Sequence, residues 1–278
     1  MAKDKEEKRK PKGGGGPPPE REDVLAIWHA LGMSRTGEPL DPDWLRFMAF
    51  ALPQARRSHA QLFQDLWVIW ETGHLEGGCF VEFGACDGVF LSNSLLLERA
   101  FAWRGVVAEP NPVYHEALAA NRHCVVDTRC VWSRSGATAK FRAVKEPEYS
   151  AMADVDPDDH HERAGRRDRF ELVEVETVSL VDLLVEAKLP KRIDYLSLDT
   201  EGSEYEILET FDFDAFDVRL ITVEHNYTKR RGDIEALLVR KGFRRRFPGM
   251  TRWDDWYVSE RLPTPEPAKR SGKRAKRA

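Results

Sequence analysis

The ten residues 79–88, Cys-Phe-Val-Glu-Phe-Gly-Ala-Cys-Asp-Gly, constrain this chain more than any other stretch. Phe80, Val81 and Phe83 make a short apolar run of β-formers, and Gly84 and Gly88 punctuate its end. The spacing predicts a buried strand followed by a tight turn. Ser92 or Asn93 then stands where a helix over 94–103 needs its cap. Strand, glycine turn and helix N-terminus together are where open α/β sheets receive ligands.

The same alternation continues down the chain. Residues 105–108 read as a second strand ending at Glu109-Pro110-Asn111-Pro112, with a helix over 113–121. Further strands are expected over 124–132, 137–144, 172–178, 193–198 and 218–223, with helices over 179–187, from about 204 to 211, and over 233–241. Residues 243–247 and 256–259 read as an antiparallel pair. Strands separated by helices imply an α/β fold, a mostly parallel sheet with helices on both faces.

Around that sheet the composition shifts. Residues 1–22 mix charge with Gly13–Gly16 and Pro17–Pro19 and are expected to stay disordered. Residues 23–75 carry three amphipathic patterns, over 23–32, from Asp41 to about 52 and over 61–71, and read as an N-terminal helical cap. The sheet domain is expected over 76–260, with the charged stretch 145–170 as a mobile insertion that includes an acid and histidine cluster at 154–161. Residues 261–278 read as a basic disordered tail.

Net charge is −4, yet residues 262–278 hold six Lys or Arg against one Glu, so the acidic excess lies in the body. An acidic body argues against a nucleic-acid surface. Four cysteines (Cys79, Cys86, Cys124, Cys130) show neither CxxC pairs nor a disulfide framework and read as reduced thiols. No run of apolar residues reaches bilayer length, and residues 1–20 lack the core of a signal peptide. A cytoplasmic location is the expectation.

The chemistry lies at the strand ends. Glu82 stands one residue before the end of the first strand, Asp87 sits inside the turn, and Glu109 follows Gly88 by 21 residues. That interval is the one at which nucleotide-binding α/β units set a carboxylate against ribose hydroxyls. The turn lacks the third glycine of the dinucleotide form, and its carboxylates repel a pyrophosphate while attracting a sulfonium. S-Adenosylmethionine is therefore favoured over a nicotinamide dinucleotide. The plainer alternative is that Glu82 and Asp87 only cap the turn. Two more strand ends, Asp199-Thr200-Glu201-Gly202 and Glu224-His225-Asn226, fall on the same edge of a parallel sheet and face an acceptor.

With these stretches in order, the chain resembles the FkbM-type family of S-adenosylmethionine-dependent methyltransferases. The matching pieces are residues 80–88, Ser92-Asn93-Ser94, Glu109-Pro110-Asn111-Pro112, residues 198–204, Gln64-Asp65 and Val223-Glu224-His225, within about 58–259. The resemblance implies a class I methyltransferase (Rossmann-like) fold with a seven-stranded sheet and an antiparallel last strand. It also implies O-methylation of a sugar, glycan or polyketide-type hydroxyl. It places Glu82, Gly84, Ala85, Asp87 and Gly88 on the methionine side of the cofactor and Glu109, with Pro110 and Asn111, on the ribose. Ser92, Asn93, Ser133 and Asp199 are further cofactor contacts.

For the acceptor's proton, His225 is the first expected base, because its unperturbed pKa lies near neutrality, and Asp199 the second. Asp199, Glu201 and Glu224 can alternatively hold a divalent cation that acidifies the hydroxyl. Two rival readings remain: a nicotinamide-dependent oxidoreductase that uses Glu109 in the same way, and a non-catalytic binding module.

Overall fold

The computed structural model describes residues 41–155, 160–248 and 250–262. The N-terminal tail, the first expected cap helix and nearly all of the basic tail lie outside the described residues.

The description begins with the cap helices. Helix α1 (Pro42–Ala51) starts where the Asp41 carboxylate accepts from the Asp43 N–H at 2.8 Å, with Pro42 in the first turn. Helix α2 (Gln64–Glu71) is buried along most of its length. Both helices pack against the distal edge of the main sheet. The Phe47 ring stacks on Phe247 and meets Trp256 edge-on, and Trp67 lies 4.9 Å from Trp256 between ring centroids. Arg246 pairs with Glu71 at 2.8 Å, and the Gln64 amide donates to Asp254 at 2.6 Å. The described cap helices thus share a core with the sheet, and packing continues across the expected boundary at 75.

The chain then enters the sheet through β1 (Cys79–Phe83), followed by α3 (Leu95–Phe101), β2 (Arg104–Ala108), α4 (His115–Asn121) and β3 (Val125–Asp127). A second sheet follows, from β4 (Cys130–Trp132), β5 (Thr138–Val144), β6 (Ala151–Met152), the short helix α5 (His160–Arg163) and β7 (Phe170–Ser179). After α6 (Leu180–Glu186) the chain returns through β8 (Arg192–Leu198), α7 (Glu204–Thr210), β9 (Asp217–Glu224), α8 (Arg230–Arg240), β10 (Phe243–Arg246) and β11 (Asp254–Ser259).

The main sheet has the order β10-β11-β9-β8-β1-β2-β3, and only β11 runs antiparallel to its neighbours. The chain moves outward from β1 in one direction and returns to build from β8 in the other. Right-handed crossovers then put the two sets of helices on opposite faces and leave a crevice between the ends of β1 and β8. β1 is buried at every position, and Val81, Phe83, Leu196, Leu198 and Ile221 join Ile207, Leu208, Leu237 and Leu238 in the core. Burial on both faces explains why β1 reads as a continuous apolar run instead of an alternating one.

The second sheet has the order β4-β7-β5-β6. The sequence predicts one strand over 124–132, but the chain breaks at Thr128 and Arg129. Asp127 accepts from the Arg129 main chain at 2.8 Å and from its guanidinium at 2.6 Å, folding a corner that hands β4 to β7. The expected mobile insertion is also tied down in its described part. β6 pairs with β5, and Arg167 is only 1% exposed, donating to the Tyr149 carbonyl at 2.8 Å.

Candidate active site

The turn after β1 is built by its own acids. Glu82 accepts from the Asn93 N–H at 2.6 Å and from the hydroxyls of Ser92 and Ser94. The buried guanidinium of Arg122 lies 3.2 Å from Glu82 and 2.6 Å from Glu98. Asp87 accepts from the N–H groups of Val89 and Phe90 at 2.8 and 2.7 Å. The negative charge that the sequence appears to leave at the turn is therefore neutralised by Arg122 or spent on backbone donors. Ser92 also accepts from the Leu95 N–H at 3.1 Å and so starts α3 in place of an N-cap side chain at Ser94.

Gly84 and Gly88 both have left-handed backbone, with φ of +70° and +81°. A Cβ at Gly84 would stand 1.9 Å from the Asp199 carbonyl oxygen. Glycine here lets the end of β1 touch the end of β8, which is what brings the two halves of the site together. The N–H groups of Gly84 and Ala85 both reach the Ala108 carbonyl, tying the turn to β2.

Glu109 stands just past β2 and bridges to that turn. Its Oε2 accepts from the Cys86 N–H at 2.9 Å and its Oε1 from the Asn111 N–H at 2.8 Å. Burial pushes its carboxyl up to about 7 against those hydrogen bonds. Pro110 is half-buried, and the Asn111 amide donates to the Ser150 hydroxyl at 3.1 Å, linking the cofactor side to the 145–170 segment. Asn93 donates to the Ser197 hydroxyl at 3.0 Å, while its amide oxygen has no partner among the described residues. Ser133 follows β4 in the second sheet, and no hydrogen bond among the described residues joins it to the turn.

At the ends of β8 and β9, Asp199, Glu201 and Glu224 converge, their nearest oxygens all within 4.8 Å of one another. Asp199 and Glu224 share a hydrogen bond, and burial with the neighbouring Glu204 charge raises Asp199 to about 7. Glu224 is pushed well above the carboxylate range by burial, Asp199 and Glu201. Each carboxylate thus disfavours ionisation of the other, which raises both. Glu201 is bound at 2.5 Å by Arg167 and at 3.3 Å by the Asn226 amide. Glu204 serves the local turn, accepting from Thr200 and Gly202.

His225 does not take the position expected of a base. Its Nδ1 accepts from the Tyr227 N–H at 3.0 Å, so the ring proton resides on Nε2, which faces Asp255 at 3.8 Å. Burial lowers its pKa to about 4. The ring is neutral, but its one lone pair is already engaged. The sequence reading of His225 as base took proximity to neutral pKa as its criterion and had no view of this local turn.

No sequence signal marks Arg167 or Asp254, and Asn226 is named there only as part of a strand end. Arg167 is one arginine in a charged loop and carries no local signal. Asn226 follows two named residues but reaches Glu201 only because it and Tyr227 are left-handed, with φ of 42° and 57°. Asp254 lies opposite Glu224 in the β11–β9 register, a pairing that the antiparallel last strand creates. Burial and the Asp199 charge raise Asp254 to about 8.

A seven-stranded sheet in this order, with one antiparallel strand and acids at its switch point, defines a class I methyltransferase architecture. The chain belongs to the FkbM methyltransferase family, whose domain model, Methyltransferase FkbM domain, matches residues 82–245. It is 28% identical over 241 residues to methyltransferase sdnD of Sordaria araneosa, covering 77% of this chain and 91% of that one. Among solved structures it is similar to a METTL16 MTase domain, with a TM-score of 0.37 and 14% identity. That match covers 69% of this chain and 64%, just under two thirds, of the other. A second likeness is to precorrin-6y C5,15-methyltransferase from Geobacter metallireducens, with a TM-score of 0.34 and 11% identity over 70% and 85% of the two chains. The protein is a methyltransferase. Among the described residues no helix is long and apolar enough to cross a membrane.

Proposed function

We propose that the protein moves the methyl group of S-adenosylmethionine to a hydroxyl of a sugar, glycan or polyketide-type small molecule. The observation that carries this reading is the close pair of half-buried Asp199 and buried Glu224, set against Gly84 by the Asp199 carbonyl contact. A carboxylate pair poised near neutrality is suited to take the proton of an alcohol, which amines and thiols attacking a methyl group need far less. Clustered acceptors also match a molecule rich in hydroxyl donors.

The residues present fit the cofactor. Glu109 keeps lone pairs beyond its two backbone contacts and stands where ribose hydroxyls are received. The unpartnered Asn93 oxygen is buried beside the turn and offers an acceptor to an ammonium group. When bound, the cofactor supplies an electrophilic methyl on a positive sulfur. The chain's part is to orient the hydroxyl against it and to receive the proton on the Asp199–Glu224 pair. His225 has the separate task of holding the turn that presents Asn226.

Isothermal titration with S-adenosylmethionine and with NAD, followed by labelled methyl transfer into a fractionated extract and mass identification of the product, tests the reading. Micromolar binding of the first ligand and a methylated hydroxyl are expected. Binding of NAD alone overturns the assignment, and binding of neither supports a non-catalytic module.

A further inference from the structure

We propose that Asp199, Glu201, Glu224 and the side-chain oxygen of Asn226 form a binding site for one hard divalent cation of the Mg2+ or Mn2+ class. The inference rests on the methyl-transfer reading and specifies what the carboxylate pair holds during turnover.

Three observations converge on it. First, one oxygen from each of the three carboxylates lies within 4.8 Å of the others. A cation with bonds of about 2.0–2.2 Å spans oxygens up to roughly 4.4 Å apart, so small side-chain rotations close the set. Second, Asn226 is only 4% exposed, and its Oδ1 has no hydrogen-bond partner among the described residues. Its amide is held at the cluster, because Nδ2 lies 3.3 Å from Glu201 Oε2. A buried amide oxygen is rarely left unpaired, and a cation beside Glu201 gives it one. Third, no ion pair among the described residues reaches Asp199 or Glu224. Arg167 answers Glu201, and Glu204 is spent on Thr200 and Gly202, whereas the Asp199 and Glu224 oxygens lie close to one another. A cation bound there takes the place of protons in neutralising the two carboxylates.

The donor set selects the kind of ion. All four atoms are carboxylate or amide oxygens, which favour Mg2+, Mn2+ or Ca2+ over zinc or copper. The nearby imidazole is turned away, with Nδ1 on Tyr227 and Nε2 toward Asp255. A cation there polarises the acceptor oxygen as a Lewis acid. The oxygen–methyl bond then forms as the sulfur–methyl bond breaks, the sulfonium becomes a neutral thioether, and the hydroxyl proton passes to an oxygen of Asp199 or Glu224 that the cation does not bind.

Mn2+ binding to the chelator-stripped full chain, read by electron paramagnetic resonance of the free ion, tests the site without reference to activity. One Mn2+ per chain is expected. Glu224→Gln and Asn226→Ala should each weaken it by about tenfold or more, while Glu206→Gln, at a residue that pairs with Arg230 and not with the cluster, leaves it unchanged. Glu224→Gln keeps the shape of the side chain and removes a like charge, so its melting temperature without metal should equal or exceed that of the wild type. If that variant fails to fold, Asn226→Ala carries the test. No Mn2+ binding at millimolar concentration, or undiminished affinity in the variants, overturns the proposal. Methyl transfer that persists at full rate in EDTA overturns the cation while leaving the reaction intact. Stoichiometric Mn2+ binding without any methyl transfer leaves the site standing and sinks the reaction.

Discussion

The Tyr227 main-chain N–H donates to Nδ1 of His225 at 3.0 Å, and this one bond decides what the histidine does. It closes a turn in which Asn226 and Tyr227 both take left-handed backbone, a conformation that persists only where its surroundings enforce it. The His225 and Asn226 N–H groups both reach the Trp253 carbonyl, which anchors the turn from below. His225 is a positioning residue for Asn226.

His225→Asn should therefore retain much of the turnover, since an amide oxygen can accept from Tyr227 as Nδ1 does. His225→Ala should raise the acceptor KM more than it lowers kcat, and the shape of the pH–rate profile should be the same in all three proteins. A loss of about 10³-fold in kcat for His225→Asn with an altered pH limb would restore the histidine as base.

Stability should fall as pH rises from about 4 toward 8. Asp199 and Asp254 hold their protons to about 7 and about 8 in the folded chain, against a reference of 3.8. Their contribution is full below the reference value and is lost as pH rises through the folded values. His225 acts in the opposite sense: its pKa falls from 6.5 to about 4, so its contribution is present above 6.5 and is lost as pH falls toward 4. Between about 4 and 6.5 the two raised carboxyls outweigh the one lowered histidine, so the metal-free melting temperature should be highest near pH ~4 and fall as pH rises toward ~8. Asp254→Asn, which keeps an acceptor for Gln64, should raise it at pH 8 by about 3 °C and flatten the alkaline limb in differential scanning fluorimetry. An unchanged alkaline limb would show that Asp254 is ionised in the folded protein.

Arg122 is the buried cation that makes the turn's acids tolerable, lying on Glu82, Glu98 and the Ser94 hydroxyl. Arg122→Met should cost about 3–5 kcal/mol by leaving Glu82 buried and unpaired, as seen in urea unfolding. Adding Glu82→Gln should recover part of that loss. Additive losses in the double variant would refute the coupling.

Glu109 serves both the turn and the proposed cofactor site. Glu109→Gln should weaken S-adenosylmethionine binding by about 10–100-fold in titration calorimetry, the worth of hydrogen bonds to a charged acceptor. Both carboxylate oxygens accept from main-chain N–H groups, those of Cys86 and Asn111, so the glutamine NH2 meets one of these donors and the variant should also lose about 1–3 kcal/mol in urea unfolding. Unchanged affinity would remove its ribose role.

The order of strands and helices was legible because β1, β8 and β9 are short apolar runs bounded by glycine and acids. Periodicity marks such elements directly. The break between β3 and β4 was not legible, since Asp127 and Arg129 fold a corner by side-chain bonds that no pattern announces. Glu109, Asp199, Glu201 and Glu224 were legible as strand-end acids because each ends or follows a strand on one edge. Arg167 and Asp254 were hidden, because each reaches the site from a segment far away in sequence.

By itself the sequence determined the parallel sheet, the glycine turn and the set of acids at strand ends, all of which follow from local spacing and residue type. Tertiary structure decided which of those acids act. Arg122 and the Ser92–Ser94 hydroxyls consume Glu82, local N–H groups consume Asp87, and only desolvation beside one another raises the Asp199 carboxyl to about 7 and pushes Glu224 well above the carboxylate range. Charge in a sequence is a count, whereas charge in a fold depends on the partners and the water left around each group.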